Sequence, residues 1–187
     1  MMHLTQSINV VSGSEERVTP PLTNQQIAEV LWNIATILQM QQGSNPYRIE
    51  AYRNAARGIT AMTEPVAGYF LRGEMPPVPG LGVRLRRKIT ELVTSGRMTF
   101  YSDLCRESLP EDARDLMRVT HIGPKTALRL CGELDIHSVS ELYQAALRQQ
   151  LRQHFGFGAR SEARLRDGAL AVLEGNQTIL PAPDQAA

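Results

Sequence analysis

Lys88 is the residue of this sequence whose neighbours most directly suggest chemistry. Arg84 lies one helical turn before it, and Arg87 is adjacent to it. Positive charges this close disfavour a further ammonium charge, so we expect a lowered pKa for Lys88 and a fraction of neutral, nucleophilic amine. The same cations suit phosphate binding equally well, and most lysines in a basic helix are backbone contacts or solvated charges. The residues alone leave both interpretations open.

Three turns cornered by glycine recur along the chain, at residues 78–89, 119–127 and 154–160, and each is followed by a basic residue. Glycine permits positive φ and close backbone approach. The amides after each corner, such as those of residues 81–84, can then point outward at the positive end of a helix and hold a phosphate. One such turn is also a plain connector, but three form a pattern. The residues predicted to bind a phosphate backbone here are Gly80, Leu81, Gly82, Arg84, Arg87, Ile122, Gly123, Lys125, Thr126, Gly156, Gly158 and Arg160.

Positive charge is concentrated beside these turns. The 187 residues carry a formal net charge of only +1 at pH 7, which excludes a strongly basic, polyelectrolyte-like protein. Residues 72–97 nevertheless hold six basic against two acidic side chains, and residues 148–167 hold five against two. Binding to a nucleic acid would therefore depend on local patches.

The elements that must position these turns are helices. Apolar residues at helical spacing follow Thr23. Thr23 lies three residues before Gln26, a spacing that predicts a capping box, and Ser138 lies three residues before Glu141. No stretch alternates apolar and polar residues long enough to predict a strand. The predicted class is all-α, with a disordered arm (1–22), a helical domain with the first turn (23–97), a helical domain with the other two (98–175) and a flexible tail (176–187).

Cys105 and Cys131 are the two cysteines, and their spacing predicts neither a disulfide framework nor a zinc site. No apolar run approaches the roughly 20 residues needed to span a bilayer, and the N-terminus lacks the features of a signal peptide. We expect a soluble protein of the cytoplasm, associated with the nucleoid if it is bacterial, with no membrane partner.

Several of these motifs occur in one order. Pro79-Gly80-Leu81-Gly82 is followed, after five intervening residues, by Lys88-Ile89. It is preceded by Ala51-Tyr52-Arg53-x-Ala55-Ala56 and followed later by Ile122-Gly123-Pro124-x-x-Ala127. This order resembles the N-terminal part of the family X DNA polymerases, the DNA polymerase beta family. The turn Phe155-Gly156-Phe157-Gly158 is similar to the bacterial members in particular. The resemblance covers residues 23–173 and implies a small helical lyase-like bundle followed by a helix-hairpin-helix domain, with three hairpins in total.

The resemblance also implies roles for individual residues. The Schiff-base lysine of the family, which attacks C1′ of an abasic deoxyribose, falls on Lys88, and its 5′-phosphate contacts fall on Arg48, Tyr52 and Arg84. No cofactor is required, but Na⁺ or K⁺ at the hairpins is implied. By resemblance, its ligands would be the backbone carbonyls of Pro76, Val78, Leu81, Met117, Val119 and Ile122.

The sequence departs from the family pattern at several positions. Arg87 stands where the family often has a glutamate, and Tyr47 stands where a histidine assists the abasic site, so an obvious base for proton abstraction is missing. His121 replaces the first glycine of the second hairpin, although histidine tolerates left-handed φ better than most residues. No Asp-x-Asp pair for two catalytic magnesium ions occurs in the sequence, which excludes polymerisation by these residues alone.

Three functions remain at this level. The first is sequence-independent binding to the backbone of gapped, nicked or branched DNA in DNA repair, alongside a separate repair polymerase or nuclease. The second is a deoxyribosephosphate or abasic-site lyase that uses Lys88. The third is a protein-interaction scaffold, which would be indicated by Arg84, Arg86 and Arg87 being occupied in ion pairs. Tyr47 and Tyr52 are open to two interpretations, as core residues or as partners of a base or phosphate.

Overall fold

Helix α1 (Asn24–Met40) is the element on which both halves of the protein pack. The computed structural model describes residues 21–175, so the predicted arm as far as residue 20 and the predicted tail lie outside the described residues. The capping box at Thr23 is confirmed: its hydroxyl accepts from the Gln26 amide at 3.2 Å, and the Gln26 side chain accepts from the Thr23 amide at 2.8 Å. The helix packs against α2, α5 and α7, whose bounds follow.

The predicted all-α class is confirmed, since the described residues form helices and no strands. Most of the connections between these helices contain glycine or proline, as the turn residues of the sequence predict. In chain order after α1 they are α2 (Pro46–Ala61), α3 (Val66–Leu71), α4 (Val83–Ser95), α5 (Thr99–Ser108), α6 (Glu111–Leu116), α7 (Pro124–Leu134), α8 (Val139–Leu147), a 3-10 turn (Leu151–Gln153) and α9 (Ala159–Leu173).

One hydrophobic core runs through the described residues. It begins at Leu22, which is 5% exposed although the predicted arm extended to it, and continues to Val172 in α9. Met98, directly after the predicted boundary between the two helical domains, has no exposed surface. The two groups of helices therefore share buried contacts, and α1 joins them because it contacts α2 in the first group and α5 and α7 in the second.

Two glycines let the hairpin turns approach neighbouring helices closely. A Cβ atom built on Gly58 of α2 would lie 2.5 Å from Cγ1 of Val78, at the beginning of the first turn. A Cβ atom on Gly168 of α9 would lie 2.9 Å from the hydroxyl of Thr120 in the second turn. Because Val78 is itself buried, the missing side chain of Gly58 is what allows the first turn to dock on α2.

Gly58→Ala should therefore destabilise the protein. The added methyl group forces apart a packed contact, and overpacking of this kind outweighs the better helix propensity of alanine, so the free energy of unfolding should fall by about 1 to 2 kcal/mol. Gly132→Ala in α7 is the matched control, because its added Cβ atom meets nothing within 4 Å. That variant should be stabilised by about 0.5 to 1 kcal/mol. Urea denaturation of both variants measures the difference, and equal effects would contradict the close-approach argument.

Candidate nucleic-acid interface

The three helices that follow the glycine turns begin without a side-chain cap. Their N-cap residues are Gly82 for α4, Gly123 for α7 and Gly158 for α9, and none of them has a side chain that could accept from the first amides. The first amides of five other helices have a side-chain acceptor. These acceptors are Thr23 for α1, Asn45 for α2, Asn24 for α3, Glu91 for α5 and Ser138 for α8. Uncapped helix starts with outward amides are suited to bind anions.

The first turn leaves two helix amides available. Gly80 has φ 78° and is exposed, as its corner position requires. The Gly82 amide donates to the Gly80 carbonyl at 2.9 Å, so it is not among the outward amides that the sequence predicts for residues 81–84. The amides of Val83 and Arg84 have no acceptor within the described chain. The side chain of Leu81 is buried, so only its backbone can contribute to a ligand site.

The second turn is more buried, and has more of its amides hydrogen-bonded, than the sequence suggests. His121 has φ 70°, which shows that histidine takes the left-handed corner normally occupied by glycine. Its amide donates to the Glu29 carboxylate of α1, whose pKa is raised by burial and lowered by this neighbour. Ile122 has no exposed surface, and its amide donates to the Val119 carbonyl at 3.1 Å. The amides of Lys125 and Thr126 remain for an anion.

The third turn is fixed by an ion pair between a buried carboxylate and a partly exposed guanidinium. Glu162 of α9 is only 1% exposed, and its carboxylate accepts from both the backbone amide and the guanidinium of Arg152. Gly156 forms the corner with φ 86°, and the ring of Phe157 is buried below it. Arg160, in the first turn of α9, is exposed and has no ion pair within the described chain.

A cleft of about 680 Å³ lies beside the first turn. The structure brings together four residues that the sequence predicts for a phosphate or abasic-sugar site, because α2 and α4 both face the cleft. Arg87 lies there as well, and Leu85 and Ala51 provide apolar walls. The full lining consists of Arg48, Ala51, Tyr52, Arg84, Leu85, Arg87, Lys88, Glu91 and Phe100.

Lys88 is enclosed by two aromatic rings in this cleft. Its Nζ atom donates to the Tyr52 hydroxyl at 2.8 Å and lies 3.1 Å from the centroid of the Phe100 ring. The two rings are stacked, with an angle of 5° between their planes and 6.1 Å between their centroids. The guanidinium carbon of Arg48 lies 4.8 Å from the Phe100 centroid, so two cations share one aromatic ring.

This environment lowers the pKa of Lys88 to about 8. Burial is the largest cause and the charge of Arg48 is the second, while Glu91 acts in the opposite direction. The predicted direction is thus found, but the causes differ from those expected, because Arg84 and Arg87 are not among them. With a pKa near 8, about a tenth of the lysine is neutral at pH 7, against well under a thousandth for an ordinary lysine.

Tyr52 fits both interpretations that the sequence left open, as a core residue and as a partner of a ligand. Its side chain is 5% exposed and belongs to the core, yet its hydroxyl lies at the cleft and bonds to Lys88. Burial raises the pKa of Tyr52, and the nearby Arg48 opposes this shift. Tyr47, by contrast, is 87% exposed and does not line this cleft.

Two cleft residues were missed by the sequence analysis. Phe100 comes from α5, in the predicted second domain, and only the packing of α5 against α1 brings it over Lys88. Glu91 is one helical turn after Lys88, a spacing that could have identified it, and it is the acidic side chain of the cleft. One of its carboxylate oxygens accepts from the amide of Thr99 at 2.8 Å, which caps α5.

The cations of the first turn are not neutralised by the protein. Arg84 and Arg87 have no ion pair within residues 21–175, and Arg86 donates to the Met75 sulfur at 2.8 Å instead of to a carboxylate. The ion pairs that would have indicated a scaffold are thus not found there. In the same part of the chain, no cluster of His, Cys, Asp and Glu side chains could hold a metal ion, and no helix is long and apolar enough to cross a membrane.

Comparison with known proteins agrees with this architecture. Residues 22–98 match the model of a helix-hairpin-helix domain, and residues 113–169 match the model of a SAM-like helix-hairpin-helix tandem. The chain is 27% identical over 139 residues to the DNA polymerase/3′-5′ exonuclease PolX of Bacillus subtilis (strain 168). The match covers 74% of this chain and 24% of that relative, so the chain spans about a quarter of its length.

The fold and the uncapped helix starts define a helix-hairpin-helix protein of the DNA-binding class. More particularly, the chain is similar to the N-terminal part of a family X DNA polymerase, so the resemblance seen in the sequence is confirmed.

Arg152→Ala should destabilise the third hairpin more than the loss of a surface ion pair. It leaves the buried Glu162 carboxylate with a single amide donor, and because the Arg152 side chain is 40% exposed and water can replace part of its contact, the free energy of unfolding should fall by about 1 to 3 kcal/mol. Arg166→Ala removes an arginine from the exposed pair with Asp167 and should cost less than about 1 kcal/mol. Chemical denaturation compares the two, and equal losses would show that the buried pair does not hold the hairpin.

Proposed function

We propose that this protein binds gapped, nicked or branched DNA through its sugar-phosphate backbone and acts in DNA repair. The observation that carries the proposal is the coincidence, at three separate helix starts, of a glycine N-cap, amides without a protein acceptor and an exposed cation. Backbone amides and arginines contact phosphates without reading base edges, so binding of this kind is independent of sequence. A repair polymerase or nuclease acting on the same DNA is the expected partner.

The turns also suit the monovalent cation that the family resemblance implies. The Pro76 carbonyl accepts from the Val78 amide at 2.7 Å, and the Val119 carbonyl accepts from the Ile122 amide at 3.1 Å. A carbonyl oxygen has two lone pairs, so each keeps one for a cation. We propose that Na⁺ or K⁺ binds at the first two turns. The ion would offset the partial negative charge of these carbonyl oxygens next to a DNA phosphate.

Substitution of one cationic side chain at each turn tests the binding mode. Arg84→Ala, Lys125→Ala and Arg160→Ala should each weaken binding to gapped DNA and reduce the slope of log K against log salt by about 0.9 for each phosphate that the variant no longer neutralises. Fluorescence anisotropy from about 50 to 200 mM salt measures this slope. Arg106→Ala is the control, because Arg106 is exposed but already paired with Asp103 at 3.1 Å. Variants that behave like this control would contradict the proposal.

A second candidate function, lyase activity at an abasic site, is favoured by the lowered pKa of Lys88 in the cleft. The neutral amine would attack C1′ of the ring-opened sugar and lose water to form a Schiff base. Removal of a C2′ proton would then expel the 3′-phosphate. Glu91, the acidic side chain of the cleft, is the base that the structure offers where the sequence offered none.

Borohydride trapping on DNA with an abasic 5′-phosphate tests this second function. Wild-type protein should give a covalent adduct whose rate of formation rises with pH through about 8, because the lysine loses its proton there. Lys88→Arg should retain DNA binding but give no adduct, since it keeps the charge without a nucleophilic amine. Glu91→Gln should still be trapped but release the cleaved strand more slowly. An adduct that survives Lys88→Arg would assign the chemistry to another amine.

A further inference from the structure

The third hairpin presents an aromatic ring to solvent at its tip. Phe155 is 95% exposed, although it is two residues from Phe157, which is 5% exposed and fills the core below the turn. Single exposed apolar side chains are common on protein surfaces. Phe155 differs from them because it lies in a turn that leads directly into the uncapped start of α9.

The backbone beneath this ring is fixed. Arg129 of α7 donates to the Phe155 carbonyl at 2.9 Å, and its guanidinium carbon also lies 5.2 Å from the centroid of the Phe157 ring. The Glu133 carboxylate accepts from the same guanidinium at 3.0 and 3.1 Å. A phenylalanine on a restrained turn loses little conformational freedom on binding, which favours a preformed contact.

The charges on the third hairpin and its flanking helices indicate what the ring would contact. Arg160 is exposed at the start of α9 together with amides that have no protein acceptor, and Arg148 and Arg164 also have no ion pair within residues 21–175. A phosphate bound here would bring its attached nucleoside close to the turn. The flat apolar surface next to this anion site is therefore suited to the face of a nucleobase.

We propose that Phe155 is a stacking platform for an unpaired base at a gap or strand end. In an intact duplex both faces of each base are already stacked on neighbours, so the ring could contact them only by unstacking a base step. An unpaired base has a free face and needs no such rearrangement. This proposal rests on the proposed DNA binding and adds to it a preference for interrupted over continuous DNA.

Two DNA molecules of equal length test the proposal, one continuous and one with a single unpaired 2-aminopurine in a gap. Phe155→Ala should weaken binding to the gapped DNA by about tenfold and leave binding to the continuous duplex unchanged. Wild-type protein should quench the 2-aminopurine fluorescence on binding, and Phe155→Ala should not. Phe155→Trp should restore both signals, whereas Phe155→Leu should not, because leucine is apolar but not planar.

Leu147→Ala is the matched control, since Leu147 is a large apolar residue that is 48% exposed at the end of α8. Thermal unfolding shows whether each variant is folded. If wild-type protein binds neither DNA, the proposed function fails. If it binds but Phe155→Ala behaves as wild type, or loses affinity equally for both DNA molecules, only the stacking proposal is overturned.

Discussion

The N–H groups at the start of an α-helix need acceptors that the helix cannot supply. This protein meets the requirement with side chains at five helices and not, within its described residues, at the short α6 or at the three helices α4, α7 and α9. Each of those three begins at a glycine, which cannot cap and which keeps the approach to the amides open. The requirement for an outside acceptor is what makes an anionic polymer a suitable ligand, and the exposed cations next to the helix starts add to the same preference.

Holding these turns outward requires a framework behind them, and α1 provides its centre. The first turn docks on α2 through the contact of Gly58 with Val78, and the second is tied to α1 because the His121 amide donates to Glu29. The third depends on the ion pair of Arg152 with the buried Glu162 carboxylate. Each anchor uses a different interaction, but all three place the apolar side of the turn in the core and the helix start in solvent.

The cleft shows how one site can suit both a phosphate and a nucleophilic amine. Arg48 and Lys88 share the ring of Phe100, so cation–π attraction partly compensates the burial and mutual repulsion of the two charges. The burial that lowers the pKa of Lys88 also removes water from around the cations, which strengthens their attraction for an anion. Phosphate binding and the reactivity of the amine therefore both depend on the partial burial of these cations.

The sequence by itself determined the helices, the three glycine turns and the residues at their corners, because caps, turns and apolar periodicity act over only a few neighbouring residues. It also determined that Lys88 lies near Arg84, one turn away on the same helix. Only the tertiary structure decided that Phe100 covers Lys88, that Arg48 rather than Arg84 lowers its pKa, and that the amide of His121 is already occupied by Glu29. These contacts join residues far apart in the chain, and they form only when the helices and turns that carry these residues pack together.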